Sequence, residues 1–295
     1  MPKFLSIGEC MVEMAPAGDG LYAMGFAGDT FNTAWYVRRL EGKEIEVSYL
    51  SAIGSDAISG RMEAFMREAG IHPRLDIRED STVGLYLIAL SDGERSFSYW
   101  RAASAARHLH EALPRIPELA EGDMAYFSGI TMAILPDEGR HALLEALEDL
   151  RGRGVRVVFD TNLRPRLWSC ADEMRHWVTK AAGISDIVLP SFDDEADAFG
   201  DRDPGATAAR YAATGAAIVA VKNGAGPVHL RHDGATVDVP PEPVGEVVDT
   251  TAAGDSFNAA FLAALATGWG VEAAAREGCR LSARVIARRG ALVEV

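Results

Sequence analysis

Val155-Arg156-Val157-Val158-Phe159 is a nearly continuous apolar run, short and β-branched, and it reads as a strand buried on both faces. Working outward, Met124 to Phe127 is a strand before it, and Pro136 to Arg151 is a helix opened by Pro and Asp. After it come a helix over Ala171 to Ala182, a strand over Ile187 to Leu189, a short helix near Asp193 to Phe199 and a helix near Ala206 to Ala213. A strand over Ala217 to Val221 follows. Strands alternating with helices imply an α/β fold, a mostly parallel sheet covered by helices on both faces. Val228 to Val239 reads as a hairpin around Asp233-Gly234, and two helices, Gly254 to Thr267 and Val271 to Arg288, close the chain.

The first hundred residues keep a different rhythm. Lys3 to Ile7 is a buried strand stopped by Gly8, and Met11 to Ala27 has no helical period and reads as irregular or short-stranded. Asp29 reads as the N-cap of a helix over Thr30 to Leu40, and a strand over Ser48 to Ile53 and an amphipathic helix over Gly60 to Ala69 follow. Val83 to Leu90 and Arg95 to Trp100 flank Ser91-Asp92-Gly93-Glu94, a hairpin signal. These β-rich segments, about 11–27 and 74–101, are assigned to a small β-sheet lid on one α/β domain spanning 1–295. There is no internal repeat and no linker composition.

The 295 residues are 48% hydrophobic and 24% charged, an ordinary globular balance. A net charge of −14 disfavours nucleic acid and anionic membranes as partners, though not a small anion in a locally basic pocket. Cys10, Cys170 and Cys279 are too far apart for a CxxC pair or a metal knuckle, and the histidines form no ligand pair. Met1 to Cys10 lacks a signal-peptide core, and the longest uncharged run, the sixteen residues Ser256 to Val271, is short of the about 20 a span needs. The chain reads as cytoplasmic, with a homo-oligomer left open.

A Walker loop is absent, since Gly42-Lys43 is followed by Glu44. Gly224-Ala225-Gly226-Pro227-Val228-His229 fails as a dinucleotide fingerprint because it opens a hairpin and ends in His229. Asp249-Thr250-Thr251-Ala252-Ala253-Gly254-Asp255-Ser256-Phe257 remains, small residues leading into a long apolar helix. Free N–H groups at a helix start bind anions, and small side chains let a phosphate reach the backbone. A lone acid there would only complement the helix dipole. The Thr-Thr-Ala-Ala-Gly run before Asp255 favours a site in which the carboxylate takes a proton from an attacking hydroxyl.

That segment resembles the DTxGAGD signature of the ribokinase-like (PfkB) carbohydrate kinases, and the resemblance covers essentially the whole chain. Gly28-Asp29-Thr30-Phe31-Asn32 stands where the family has its GGxxxN sugar-binding motif. Three further segments, Gly8 to Met11, Gly93 to Arg101 and Phe159 to Trp168, resemble the family's 2-keto-3-deoxygluconate (KDG) kinases. Ala252 replaces a signature glycine, Ala27-Gly28 replaces a Gly pair, and Ser191-Phe192-Asp193-Asp194 stands for the NxxE motif.

The resemblance implies ATP-dependent phosphorylation of KDG at its terminal hydroxyl. Asp255 would be the base, with the N–H groups of Ala252, Ala253, Gly254 and Asp255 holding phosphoryl charge. Gly28, Asn32, Tyr86, Tyr99, Arg101 and Arg164 would bind the sugar acid, the arginines gripping its carboxylate through their planar fork. Asn162, Arg164, Lys222, Gly224, Gly226, Gly254 and Asn258 would face the nucleotide. Asp194, with Glu195 beside it, would order Mg²⁺ through water, and Asp249 and Thr251 would lie near a K⁺ site. A kinase of a neutral sugar such as fructose or ribose would not need Arg101 and Arg164. A non-catalytic sugar-acid or nucleotide sensor would be expected to lose Asp255.

Overall fold

The computed structural model describes residues 1–40, 45–91 and 94–295. The Asp92-Gly93 turn of the expected hairpin lies outside them. The elements are β1 (Lys3–Ile7), β2 (Met11–Gly18), β3 (Leu21–Ala27), α1 (Asp29–Leu40), β4 (Glu46–Gly54), α2 (Ala57–Glu68), β5 (His72–Arg78), β6 (Leu85–Ser91) and β7 (Glu94–Trp100). There follow β8 (Met124–Ser128), α3 (Gly129–Ile134), α4 (Asp137–Gly152), β9 (Arg156–Asp160), α5 (Ala171–Gly183), β10 (Ile187–Val188), α6 (Phe192–Phe199) and α7 (Pro204–Ala213). The chain ends with β11 (Ile218–Val221), β12 (Val228–His232), β13 (Ala235–Val239), α8 (Ala253–Ala266) and α9 (Val271–Ile286).

Among the described residues the large sheet has the order β13-β12-β11-β10-β9-β8-β1-β4-β5. It is parallel from β11 to β5, and β12 and β13 add an antiparallel edge. Alternation along each strand divides the core in two. Phe4, Tyr126 and Val158 face the layer of α1, α8 and α9, while Leu5, Phe127 and Phe159 face α4 and α5. Helix α8 is buried from Ser256 to Leu265, as a helix apolar on all sides must be. No helix of the described residues is long and apolar enough to cross a membrane.

A second, four-stranded sheet has the order β3-β2-β6-β7. It holds 11–27 and 85–100, as two paired hairpins, so of the two readings of Met11 to Ala27 the short-stranded one holds: two strands joined by a turn, with a register shift near Pro16. Only the start of β2 is buried, which is why no alternation marks it. The expected lid segment 74–101 is corrected at its beginning: 74–78 belongs to β5, which pairs with β4 at the edge of the large sheet. Helix α3 and a 3₁₀ segment, Ala105–Arg115, were not legible. Helix α3 has six residues, too few for a period, and is started by a Ser128–Thr131 capping box.

Strand β1 lies between β8 and β4, so successive connections leave it in opposite directions across the sheet. A crevice opens outside the carboxyl ends of the strands at such a point, and ligands bind there in α/β sheets.

Candidate active site

Two adjoining cavities occupy that crevice, of about 490 and 570 Å³. Ser191, Asp194, Lys222, Ala253 and Gly254 line both, so the start of α8 forms the junction between them. The first cavity takes Gly28, Asn32, Tyr86, Tyr99, Arg101, Asn162, Arg164, Thr251, Ala252 and Asp255 into its wall. The second takes Gly224 and Gly226, and its far side is apolar, with Val247, Phe257 and Ile286.

The loop before α8 is shaped for an anion. Ala252, its N-cap, adopts φ 59° and ψ 16°, a left-handed conformation that costs an L-residue roughly 1–2 kcal/mol. This explains why the family signature carries glycine there. Ala253 N–H is taken by Thr250 O at 3.2 Å. That leaves the N–H groups of Ala252, Gly254 and Asp255 with no backbone acceptor among the described residues. The expected four-residue anion hole is narrowed by that one bond.

Asp255 sits half-buried in the first turn of α8. Its Oδ2 accepts from Asn32 Nδ2 at 2.8 Å, and Asn32 Oδ1 in turn accepts from Gly28 N–H at 3.2 Å. Asn32, expected to hydrogen-bond a sugar hydroxyl, thus spends its amide on the Asp255 carboxylate. Gly28 has to be glycine, because a Cβ there would stand 2.2 Å from Glu9 O. Burial, and then the charge of Asp29, push the Asp255 carboxyl up to about 8, while the Asn32 amide works against them.

Two further carboxylates complete this floor, and neither was expected at the site. Asp29 is the first residue of α1, one place inside the expected cap; its Oδ2 accepts from Asn162 Nδ2 at 2.9 Å, and burial raises its pKa. Asp160, at the end of β9, accepts from Asn258 Nδ2 at 2.8 Å and from Lys222 Nζ at 3.0 Å. Each of the three aspartates is thus held by one asparagine amide. A carboxylate ending a parallel strand, as Asp160 does, is the signal that could have found it.

Asn258 requires a correction. It is fully buried and lines neither cavity; its amide reaches Asp160, Tyr126 and Lys222 beneath the site, out of a nucleotide's reach. Glu195 is likewise fully buried, bonded to Arg210 and Tyr211 away from the cavities, so it does not face a metal. Asp249 lines neither cavity. Its carboxylate accepts from Thr251 N–H and Gly290 N–H, tying the loop before α8 to the C-terminal segment.

Arg101 and Arg164 both line the first cavity, and neither is a bare cation. Arg101 donates through Nη2 to the buried Glu9 carboxylate. Arg164 lies 3.4 Å from Asp194 in a partly exposed pair. Tyr86 donates to Glu13, and its ring lies 5.9 Å from that of Tyr99.

No group of three or more acidic, His or Cys side chains able to hold a metal occurs among the described residues. Asp194, on the wall of both cavities, fits an Mg²⁺ ion of the kind carried mainly by water and nucleotide phosphates, which needs only one or two protein carboxylates.

The model of the pfkB family carbohydrate kinases matches residues 1–294. A 2-dehydro-3-deoxygluconokinase of Haemophilus influenzae is 38% identical over 100% of this chain and 96% of its own. One of Dickeya dadantii is 38% identical over 97% and 95%. The crystal structure of a PfkB protein from Polaromonas sp. JS666 superposes with a TM-score of 0.85 at 25% identity, covering 97% of this chain and 96% of that one. With its signature loop, its junction of two cavities and a family match over nearly every residue, the chain belongs to the PfkB family of carbohydrate kinases.

Proposed function

We propose that this chain transfers the terminal phosphoryl group of ATP to the terminal hydroxyl of KDG (2-dehydro-3-deoxygluconate). The observation that carries the reading is the placement of Asp255 and the free N–H groups of α8 where a sugar-sized, arginine-bearing cavity meets a second cavity with an apolar slot. The full-length identity to curated KDG kinases supports the substrate. ATP supplies the phosphoryl group, with Mg²⁺ neutralising charge on its phosphates.

The chain's own groups do the rest. The apolar slot at Val247, Phe257 and Ile286 takes the base of the nucleotide, and Lys222 meets phosphate charge at the junction. Asp194 would hold the metal through water, and Arg164 beside it would screen the phosphates. Arg101 grips the substrate carboxylate, and Tyr86 and Tyr99 wall the sugar from the small sheet. Asp255 accepts the hydroxyl proton as the oxygen attacks, and the N–H groups of Gly254 and Asp255 stabilise the charge that develops. A K⁺ ion near Asp249 and Thr251 would steady the same loop.

Phosphorus NMR of the reaction mixture tests the assignment. A phosphomonoester split into a triplet by a neighbouring methylene is expected; ADP formed without it would contradict the reading.

The base imposes a pH dependence. Asp255 must be ionised to accept a proton, and its carboxyl is pushed up to about 8. Consequently kcat/KM for KDG is expected to rise with pH, reaching half its plateau near that value. A profile flat from about pH 6 to pH 9 would refute the base assignment.

The small sheet is assigned the role of a lid that excludes water during transfer. Hydrogen exchange in 11–27 and 85–100 is expected to slow when KDG and a non-hydrolysable nucleotide bind together. Unchanged exchange would rule out a closing sheet.

A further inference from the structure

We propose that Glu9 is the positioning residue for Arg101 and, through it, a determinant of the preference for an acidic substrate. The inference rests on the KDG reading above and deepens it. Glu9 lies in the connection from β1 of the large sheet to β2 of the small one, and Arg101 follows β7 of the small sheet, so their ion pair lies in the wall of the first cavity where the two sheets meet. Glu9 is 2% exposed. A free arginine loses rotamer entropy on gripping a ligand, and a fixed partner removes part of that loss in advance.

The pair is incomplete in a way that suits a carboxylate. Arg101 Nε and Glu9 Oε1 are both buried with no hydrogen-bond partner. A buried donor left unfilled is costly, and a substrate carboxylate beside Arg101 would fill it. The glutamate itself has little freedom. Its backbone oxygen abuts Gly28, and a Cβ on Gly84 would stand 2.8 Å from Oε1 and 3.1 Å from Met11 Cγ. Bare glycine at position 84 therefore makes the space in which the Glu9 carboxylate lies.

A pair that merely tied the sheets together would affect every substrate alike. The test compares KDG with its uncharged amide in the full-length enzyme, using Glu9→Gln, Gly84→Ala, Arg101→Ala and the Glu9→Gln/Arg101→Ala double variant. Glu9→Gln and Gly84→Ala are each expected to raise KM for KDG about tenfold, equivalent to about 1.4 kcal/mol. Their kcat should stay within about threefold, with KM for ATP and for the amide unmoved. The double variant should be no worse than Arg101→Ala alone, since the two residues act as one unit. Additive losses, or equal losses on KDG and its amide, would overturn the role of Glu9 while leaving KDG turnover by the wild type intact. A wild type that takes only neutral sugars would overturn both.

Discussion

Asp255→Asn is expected to lower kcat for KDG by roughly 10² to 10⁴, the range for loss of a positioned acid–base group. Asparagine keeps the volume, and its oxygen still accepts from Asn32, so the 2.8 Å contact that orients the side chain survives. The backbone N–H groups at the start of α8 are untouched, and KM for ATP should move little. Stability should change in the opposite sense. The folded carboxyl, pushed up to about 8, lies above its ordinary value of 3.8, so ionising it opposes folding. That cost is absent below the unfolded value, grows as pH rises between the two, and is full above the folded one. The neutral variant should therefore melt higher than wild type at alkaline pH, with the margin shrinking toward pH 4. A folded variant with near-normal kcat would remove Asp255 from the chemistry.

Arg101→Ala is expected to raise KM for KDG by about ten- to hundredfold, since a charge-assisted hydrogen bond is worth about 1.5–3 kcal/mol and 1.4 kcal/mol is a factor of ten. The arginine follows the last strand of the small sheet and is not part of the α8 loop that carries Asp255, so kcat should fall less than KM rises. Its truncation also strands the Glu9 carboxylate, which is 2% exposed, and part of the loss comes from that unpaired charge. The substrate provides the control. Removing its carboxylate should cost the wild type heavily and the variant little, a double-mutant cycle between protein and ligand. Equal losses on charged and uncharged substrates in the variant would make Arg101 structural. Arg164, paired with Asp194 near the junction, is expected to lose in both kcat and KM.

Local chemistry was legible in the sequence, and long-range chemistry was not. The alternation from Met124 to Val221 appears as strands and helices within a residue or two of where the apolar runs placed them. The signature loop lies at the junction because small residues before an apolar helix mean the same thing in any context. By contrast, Asp29 read as a helix cap, the role its immediate neighbours suggest. Its actual partner, Asn162, is 133 residues away. Asn32 and Asp255 are 223 residues apart, and Glu9 and Arg101 are 92 apart. No local period announces such pairs, since only the closing of the sheet brings them together. Residues 74–78 pair with the large sheet instead of the expected lid for the same reason: strand propensity shows that a segment is extended, while its partner is set by tertiary packing.

Phosphorylation of a sugar acid at this site is read from ADP release by the wild-type enzyme with KDG, fructose, ribose and gluconate, each over a full concentration range with Mg²⁺ and ATP. KDG is expected to have the highest kcat/KM, exceeding either neutral sugar by at least about a hundredfold, the effect of one buried charge-assisted contact at the upper end of its range. A kcat/KM for fructose or ribose equal to or above that for KDG would contradict it.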